Sequence, residues 1–249
     1  MNVNNIVCNL TKQQQDFIKA LLKKHNISSV LDTSRGSKEL AFLMANWGKD
    51  VTSIEENAPL AQKAHKKNIE AGINLKVLSA DMRDLSSVCR TRFDLITCMN
   101  SSLSYLLNEE DVWGTLAQMY LKLHSGGFLL IHTLDYDKLK DKGLEGVCLW
   151  EDTIQGQRAC LYYKKEIVEI EDRVGSLHFS LTPMEALGTK NKEMYEHKDI
   201  VRLISIKDLN MSLAELGFER IENHDWVCHE RGSNYFTVTI AARPSSISL

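Results

Sequence analysis

Hydrophobic residues along the first half of the chain alternate between two spacings. Phe17, Ile18, Leu21 and Leu22 share one face of a helix, which Thr11 opens with Gln14 three residues on, the pattern of a capping box. Ser29–Asp32 is a short apolar run closing in an acid, and it predicts a buried strand. Leu40, Ala41, Met44 and Trp47 return to helical spacing, with Gly48 as a stop. Residues 51–55 form a second predicted strand that again ends in acid, at Glu55. Asn57 and Pro59 start a helix reaching about Ala71, and Gly72 closes it. Leu75–Ser79 and Phe93–Cys98 are the third and fourth strands. Asn108 then opens a helix whose first turn carries Glu109, Glu110 and Asp111, negative charge at the positive end of the dipole. Its stripe is Leu116, Met119, Tyr120 and Leu123, and Ser125, Gly126 and Gly127 break it before a fifth strand at 128–131.

Strands alternating with helices of this length imply a parallel sheet covered on both faces. The rhythm changes after Leu149. Residues 158–171, 176–182 and 194–204 are β-rich with no helix between them, which predicts an antiparallel insert over about residues 150–205 within one domain spanning 1–249. A helix returns near 207–216, followed by strands at 218–221 and 235–241. Residues 230–234 have the composition of a hairpin turn, and 243–249 that of a frayed tail.

The 249 residues are 43% hydrophobic and 25% charged, the balance of a globular protein with a sizeable core. Lys and Arg number 30 against 33 Asp and Glu, so a partner held mainly through phosphates, such as nucleic acid, is not expected. The six cysteines are dispersed, with no CxxC pair and no closely spaced His pair beside them, which predicts reduced, mostly buried thiols and no metal site. The first residues lack the basic and apolar regions of a signal peptide, and no apolar run reaches bilayer length. These features predict a cytoplasmic protein with no membrane partner.

Ligands of open parallel sheets bind outside the carboxyl ends of the strands. The residues there are Asp32 with the turn through Lys38, then Glu55, Asp81 and Met82, then Met99, Asn100, Ser101 and Ser102, then His132. An acid at the end of the second strand, about twenty residues beyond a small-residue turn, suits a carboxylate that grips two ribose hydroxyls. Nicotinamide, flavin and methyl-donor cofactors all use that arrangement. The plainer readings stand beside it: acids as helix caps, Met82 and Met99 as core packing, serines as turn residues, and Trp150, Tyr162 and Tyr163 as the insert's own core.

The stretch from Val30 to Leu134 resembles the class I S-adenosylmethionine-dependent methyltransferases. Residues 30–38 lie where that family has its glycine-rich motif, Glu55 where its ribose-binding acid falls, and residues 80–85 where an Asp meets the adenine amino group. Residues 93–106 are similar to the fourth strand and the loop at the methionine end, and 125–131 to the turn into strand five. The region after strand five more loosely resembles small-molecule N-methyltransferases that dimethylate amino sugars. The resemblance implies an α/β fold, a doubly wound, mostly parallel seven-stranded Rossmann-like sheet with the β-rich insert after strand five. It implies S-adenosyl-L-methionine as cofactor, held by Asp32, Ser34, Gly36, Ser37, Glu55, Asp81, Met82, Met99 and Asn100. The acceptor would be a small molecule, an amine foremost, with His132 as the nearest catalytic base and Tyr105, Asp135 and Tyr136 as substrate contacts. A homodimer is left open. The family's motif carries three glycines where this chain has Ser34, Gly36 and Lys38. Lys38 therefore raises a second reading, a non-catalytic descendant that binds a ligand or partner. A third, RNA methylation, is disfavoured by the acidic balance.

Overall fold

The computed structural model describes residues 10–36, 38–70, 72–138, 147–154, 157–171, 173–183, 195–226 and 236–245. Its strands are β1 (Ser29–Asp32), β2 (Asp50–Glu55), β3 (Leu75–Ser79), β4 (Phe93–Cys98), β5 (Leu123–Leu134), β6 (Val147–Ile154), β7 (Gln157–Glu171), β8 (Val174–Pro183), β9 (Tyr195–Arg202), β10 (Glu219–Trp226) and β11 (Phe236–Ala242). Its helices are α1 (Lys12–Lys24), α2 (Glu39–Asn46), α3 (Ala58–Glu70), α4 (Leu85–Val88), α5 (Glu109–Lys122) and α6 (Ile206–Glu215). Seven strands form one sheet in the order β10-β11-β5-β4-β1-β2-β3. Strands β1 to β5 pair in parallel, and β11 runs antiparallel to both of its neighbours. The strand order reverses at β1 and β4, and the crevice of such a sheet lies at that switch.

Alternation along the strands divides the core. Leu31, Ile96, Leu129 and Ile131 face one side, where Leu116 and Met119 of α5 and Leu209 and Leu213 of α6 cover them. Val30, Leu95 and Leu130 face the other, packed with Ile18 and Leu22 of α1 and Leu40 and Met44 of α2. Central strands buried on both faces explain their unbroken apolar runs. The capping box at Thr11 forms as expected: its side chain accepts from Gln14 N and the Gln14 side chain accepts from Thr11 N. Asn108 stands at the start of α5 but makes no capping hydrogen bond with its side chain.

Three expectations need correction. Strand β5 starts at Leu123, so Gly126 and Gly127 lie within a strand and do not separate it from the helix. A Cβ on Gly127 would lie 2.9 Å from His124 O and 3.1 Å from Asp94 O, so glycine there lets β5 close on β4. Strand β6 belongs to a second, four-stranded antiparallel sheet, β6-β7-β8-β9, and was not foreseen as a strand. The start of the expected tail is anchored: Arg243 N donates to Gly127 O, and its guanidinium donates to Tyr120 O and Leu123 O. Residues 246–249 and the expected hairpin turn at 230–234 lie outside the described residues. No described helix is long and apolar enough to cross a membrane. Cys89 and Cys98 are buried free thiols, as expected of the described cysteines.

The sheet is tied at the amino ends of β1 and β4 by one side chain. Asp94 Oδ2 accepts from Ser28 N (3.0 Å), Ser28 Oγ (2.8 Å), Ser29 N (2.9 Å) and Ser29 Oγ (3.0 Å). Burial would push this carboxyl up, but the hydrogen bonds from Ser29 and Ser28 outweigh it and hold the pKa at about 2. A depressed carboxylate pKa stabilises the fold above its unfolded value, and that contribution is lost as pH falls through the folded one. Asp94→Asn should therefore cost about 1–3 kcal/mol at pH 7. In urea titrations the gap from wild type should shrink between pH 4 and pH 2; a constant gap would contradict the assignment.

Candidate active site

The carboxyl ends of β1, β2 and β4 meet at Asp32, which is 1% exposed. Its Oδ1 accepts from Ser34 N, Ser34 Oγ and Thr97 Oγ1, and its Oδ2 from Ser53 Oγ at 2.8 Å. Donors from the turn, from β4 and from β2 therefore occupy both oxygens. Asp32 knots three strand ends together, and Ser34 extends the knot by accepting from Met99 N at 2.8 Å.

The turn beyond β1 needs left-handed backbone twice. Gly36 has φ of 91°, which costs a glycine nothing. Lys38 has φ of 56° and ψ of 20° at the start of α2, a conformation that costs a side-chain-bearing residue about 1 kcal/mol. So Lys38 keeps the backbone shape a glycine would take while adding a side chain that turns inward and is 3% exposed. The ammonium donates to the carbonyls of Ser34 and Ile54. It also lies 3.3 Å from Glu55 Oε2 and 3.9 Å from Asp32 Oδ2. Ser37 lies outside the described residues.

Glu55, at the end of β2, is 4% exposed. Its Oε1 accepts from Asn57 N at 3.0 Å. Its Oε2 has no hydrogen-bond donor, although the Lys38 ammonium is within ion-pair distance. The two observations are compatible: two of the three Lys38 hydrogens go to the carbonyls, and Oε2 has the ammonium charge beside it without a well-aligned hydrogen bond.

At the end of β3, Asp81 accepts from Arg83 N at 2.8 Å and from the Arg83 guanidinium at 2.6 Å. The hydrogen bond from the Arg83 side chain, against the opposing effect of burial, holds the Asp81 carboxyl below its ordinary value. Met82 is 7% exposed and packs with Leu31, Ile54 and Leu85 in the core. Met99 is packed in the opposite core cluster. Met99 and Asn100 also line a shallow cleft together with Leu10, Asp32, Ser34 and Lys38.

Past β4 the chain turns through two consecutive left-handed residues, Asn100 (φ 57°) and Ser101 (φ 51°). Ser101 N donates to His132 O at 3.1 Å, and Leu134 N donates to Ser101 Oγ at 2.9 Å, which stitches the turn to β5. His132 is buried, stacked on Phe236 at 4.8 Å, and its Nδ1 accepts from Asn100 N at 3.1 Å. The proton therefore sits on Nε2, which has no partner among the described residues. Burial brings the His132 pKa down to about 3. This geometry makes His132 a neutral donor at physiological pH, with its one free lone pair already engaged.

Tyr105 donates to Asp199 Oδ2 of β9 at 2.8 Å, joining the turn to the second sheet. Burial and the Asp199 carboxylate keep its phenol protonated well above the ordinary range. The Arg35 guanidinium lies over the Tyr105 ring, 4.5 Å from its centroid, and 3.8 Å from Glu56. Arg35 and Asp199 were not singled out from sequence; a cation inside the first turn was the available sign of Arg35. Asp135, another expected contact, is engaged by Lys138 N and Thr237 Oγ1.

The strand order is that of a nucleotide-type α/β site: Asp32 and Asn100 line one cleft, and Lys38 links Asp32 to Glu55 beside it. Residues 30–127 match the family of methyltransferase domains. A solved S-adenosylmethionine-dependent methyltransferase from Clostridium acetobutylicum ATCC 824 superposes with a TM-score of 0.69 at 16% identity, over 94% of this chain and 92% of that one. Residues 30–127 thus carry a methyltransferase domain, in a chain with the class I methyltransferase fold. The methyltransferase region is 31% identical over 134 residues to a glycine/sarcosine N-methyltransferase of Halorhodospira halochloris, covering 54% of this chain and 50% of the relative. An amino pentose methyltransferase from Micromonospora echinaspora, solved with S-adenosylmethionine bound, shares the fold at a TM-score of 0.63 and 17% identity, over 92% and 89% of the two chains. The chain spans about half the length of the curated relatives it matches.

The electrostatics of His132 in this methyltransferase fold have a direct readout. Its imidazole should remain the neutral Nε2–H tautomer from pH 8 to pH 5 in nitrogen-15 spectra. An imidazole that titrates near pH 6.5 would show that the stacked, buried placement is wrong.

Proposed function

We propose that the protein transfers a methyl group from S-adenosylmethionine to the nitrogen of a small-molecule amine. The observation that carries this reading is Glu55 Oε2, a buried carboxylate oxygen at the second strand end with no hydrogen-bond donor. One ribose hydroxyl would complete it, and a second can share Oε1. Gly36 keeps the turn slim enough for a ligand to approach its backbone. Met82 and Asp81 stand at the third strand end, where an adenine would lie; Asp81 reaches it once the Arg83 guanidinium, half exposed, yields an oxygen. Asn100 and Met99 wall the cleft toward the methionine end.

The bound cofactor supplies a methyl carbon already activated by its positive sulfur. The chain's own residues then position and desolvate the acceptor, which is where such a site gains rate. An amine attacks through its lone pair and releases its proton to water afterwards, whereas a hydroxyl needs a base in the transition state. His132 offers a donor in place of a base, and Tyr105 stays protonated. This donor-only set supports an amine acceptor. His132 is accordingly a residue that orients the acceptor through Nε2–H. The family relatives named for glycine and sarcosine act on amines that carry a carboxylate. Arg35, stacked on Tyr105 where the turn meets β9, is a suitable cation for such a group. The β6–β9 sheet serves as the cover of the acceptor pocket. The reading of a chain that has lost cofactor binding finds no support in its relatives, which are named as methyltransferases.

Two measurements test the reading. Glu55→Ala should weaken binding of S-adenosylhomocysteine by about tenfold or more in calorimetric titration, the cost of losing a charged hydrogen-bond acceptor. Unchanged affinity would refute the ribose assignment. In a labelled-methyl assay, amines such as glycine, sarcosine or an amino sugar should accept the label while hydroxyl-only analogues do not; the reverse result would refute the amine assignment.

A further inference from the structure

Lys38 is the charged group that the function above leaves unused, and its surroundings separate two roles. A side chain that merely plugged the crevice would direct its hydrogens at the carboxylate it blocks. Here two of its three hydrogens are directed at main-chain carbonyls, Ser34 O in the first turn and Ile54 O in β2. The ammonium thus braces the turn against the second strand, while its charge faces Glu55 Oε2 at 3.3 Å and Asp32 Oδ2 at 3.9 Å. The other groups on these carboxylates are neutral: Ser34, Ser53 and Thr97 on Asp32, and Asn57 N on Glu55. Among the described residues, one buried cation therefore serves two buried anions. Expelling it would leave both carboxylates without a counter-charge, at a cost on the order of a hundredfold or more in the equilibrium.

We infer that Lys38 is a resident counter-charge that stays beneath Glu55 when the cofactor binds and biases the site against the cationic methyl donor and toward the neutral spent cofactor. The inference rests on the cofactor reading given above. With glycine at this position the two carboxylates would present two negative charges to a positive sulfonium. With Lys38 in place they present one. S-Adenosylmethionine and S-adenosylhomocysteine differ at sulfur by one unit of charge and one methyl group, so a fixed cation acts on their ratio. Release of spent cofactor would then be the slower exchange, and turnover would follow the ratio of donor to product.

The test is a calorimetric titration of both ligands into wild type and Lys38→Met at fixed ionic strength. The affinity ratio of donor to spent cofactor should move toward the donor by about three- to tenfold in the variant, as one partly screened unit charge implies. Both ligands tightening together would show that the ammonium had been leaving the crevice, and both weakening alike would show a packing role; either overturns the inference. If Glu55→Ala abolishes binding while Lys38→Met leaves the ratio alone, this inference fails and the cofactor reading stands. No binding of S-adenosylhomocysteine by wild type overturns both. A second readout needs no variant. Lys38 in the wild-type protein should stay protected from an amine-reactive label, read by peptide mass spectrometry, with and without saturating S-adenosylhomocysteine. Labelling that rises with ligand would overturn the inference.

Discussion

Two buried carboxylates sharing one buried ammonium are the interaction on which the site depends. Asp32 and Glu55 stand at adjacent strand ends with almost no exposure, and Lys38 lies between them. Charges this far from water persist only when paired and hydrogen-bonded. The pairing here divides the labour. Asp32 spends its oxygens on Ser34, Ser53 and Thr97 and so fixes the geometry of three strands. Glu55 spends one oxygen on Asn57, and its other oxygen faces the Lys38 ammonium. A third carboxylate, Asp94, ties β1 to β4 at the opposite end of the strands. The strand next to the topological switch is thus fixed at both ends by acids, which gives the crevice a rigid floor.

The rest of the site follows from what that floor holds up. The left-handed pair Asn100 and Ser101 turns the chain sharply after β4, and the turn is bonded to the end of β5. That turn delivers a backbone N–H to His132 and so decides its tautomer. The same turn leads to Tyr105, whose hydroxyl reaches the second sheet at Asp199. Within that neighbourhood His132 is a neutral imidazole and Tyr105 a protonated phenol.

Sequence patterning located the central elements because burial on both faces of a parallel sheet leaves a strong signal: runs such as Val30-Leu31 and Leu95-Ile96 show it plainly. It also located the carboxylates, since position at a strand end is a local property. What it could not supply were directions and partners. The Lys38 side chain turns inward from a left-handed backbone, a fact with no trace in hydropathy. Composition gave no sign that Arg83 takes hold of Asp81, or that Arg243 anchors the start of the tail under α5. Strand β6 escaped notice because a β-rich insert lacks the helix-strand rhythm that marks boundaries in the first half. The tautomer of His132 depended on an N–H thirty-two residues away in sequence.

The central claim is that Glu55 receives the ligand while Lys38 remains buried beneath it. A crystal structure of the complex with S-adenosylhomocysteine examines that arrangement directly. The account predicts ribose hydroxyls on Glu55 with the Lys38 ammonium still bonded to Ser34 O and Ile54 O. A ribose seated elsewhere, or a Lys38 side chain swung out to solvent, would contradict it.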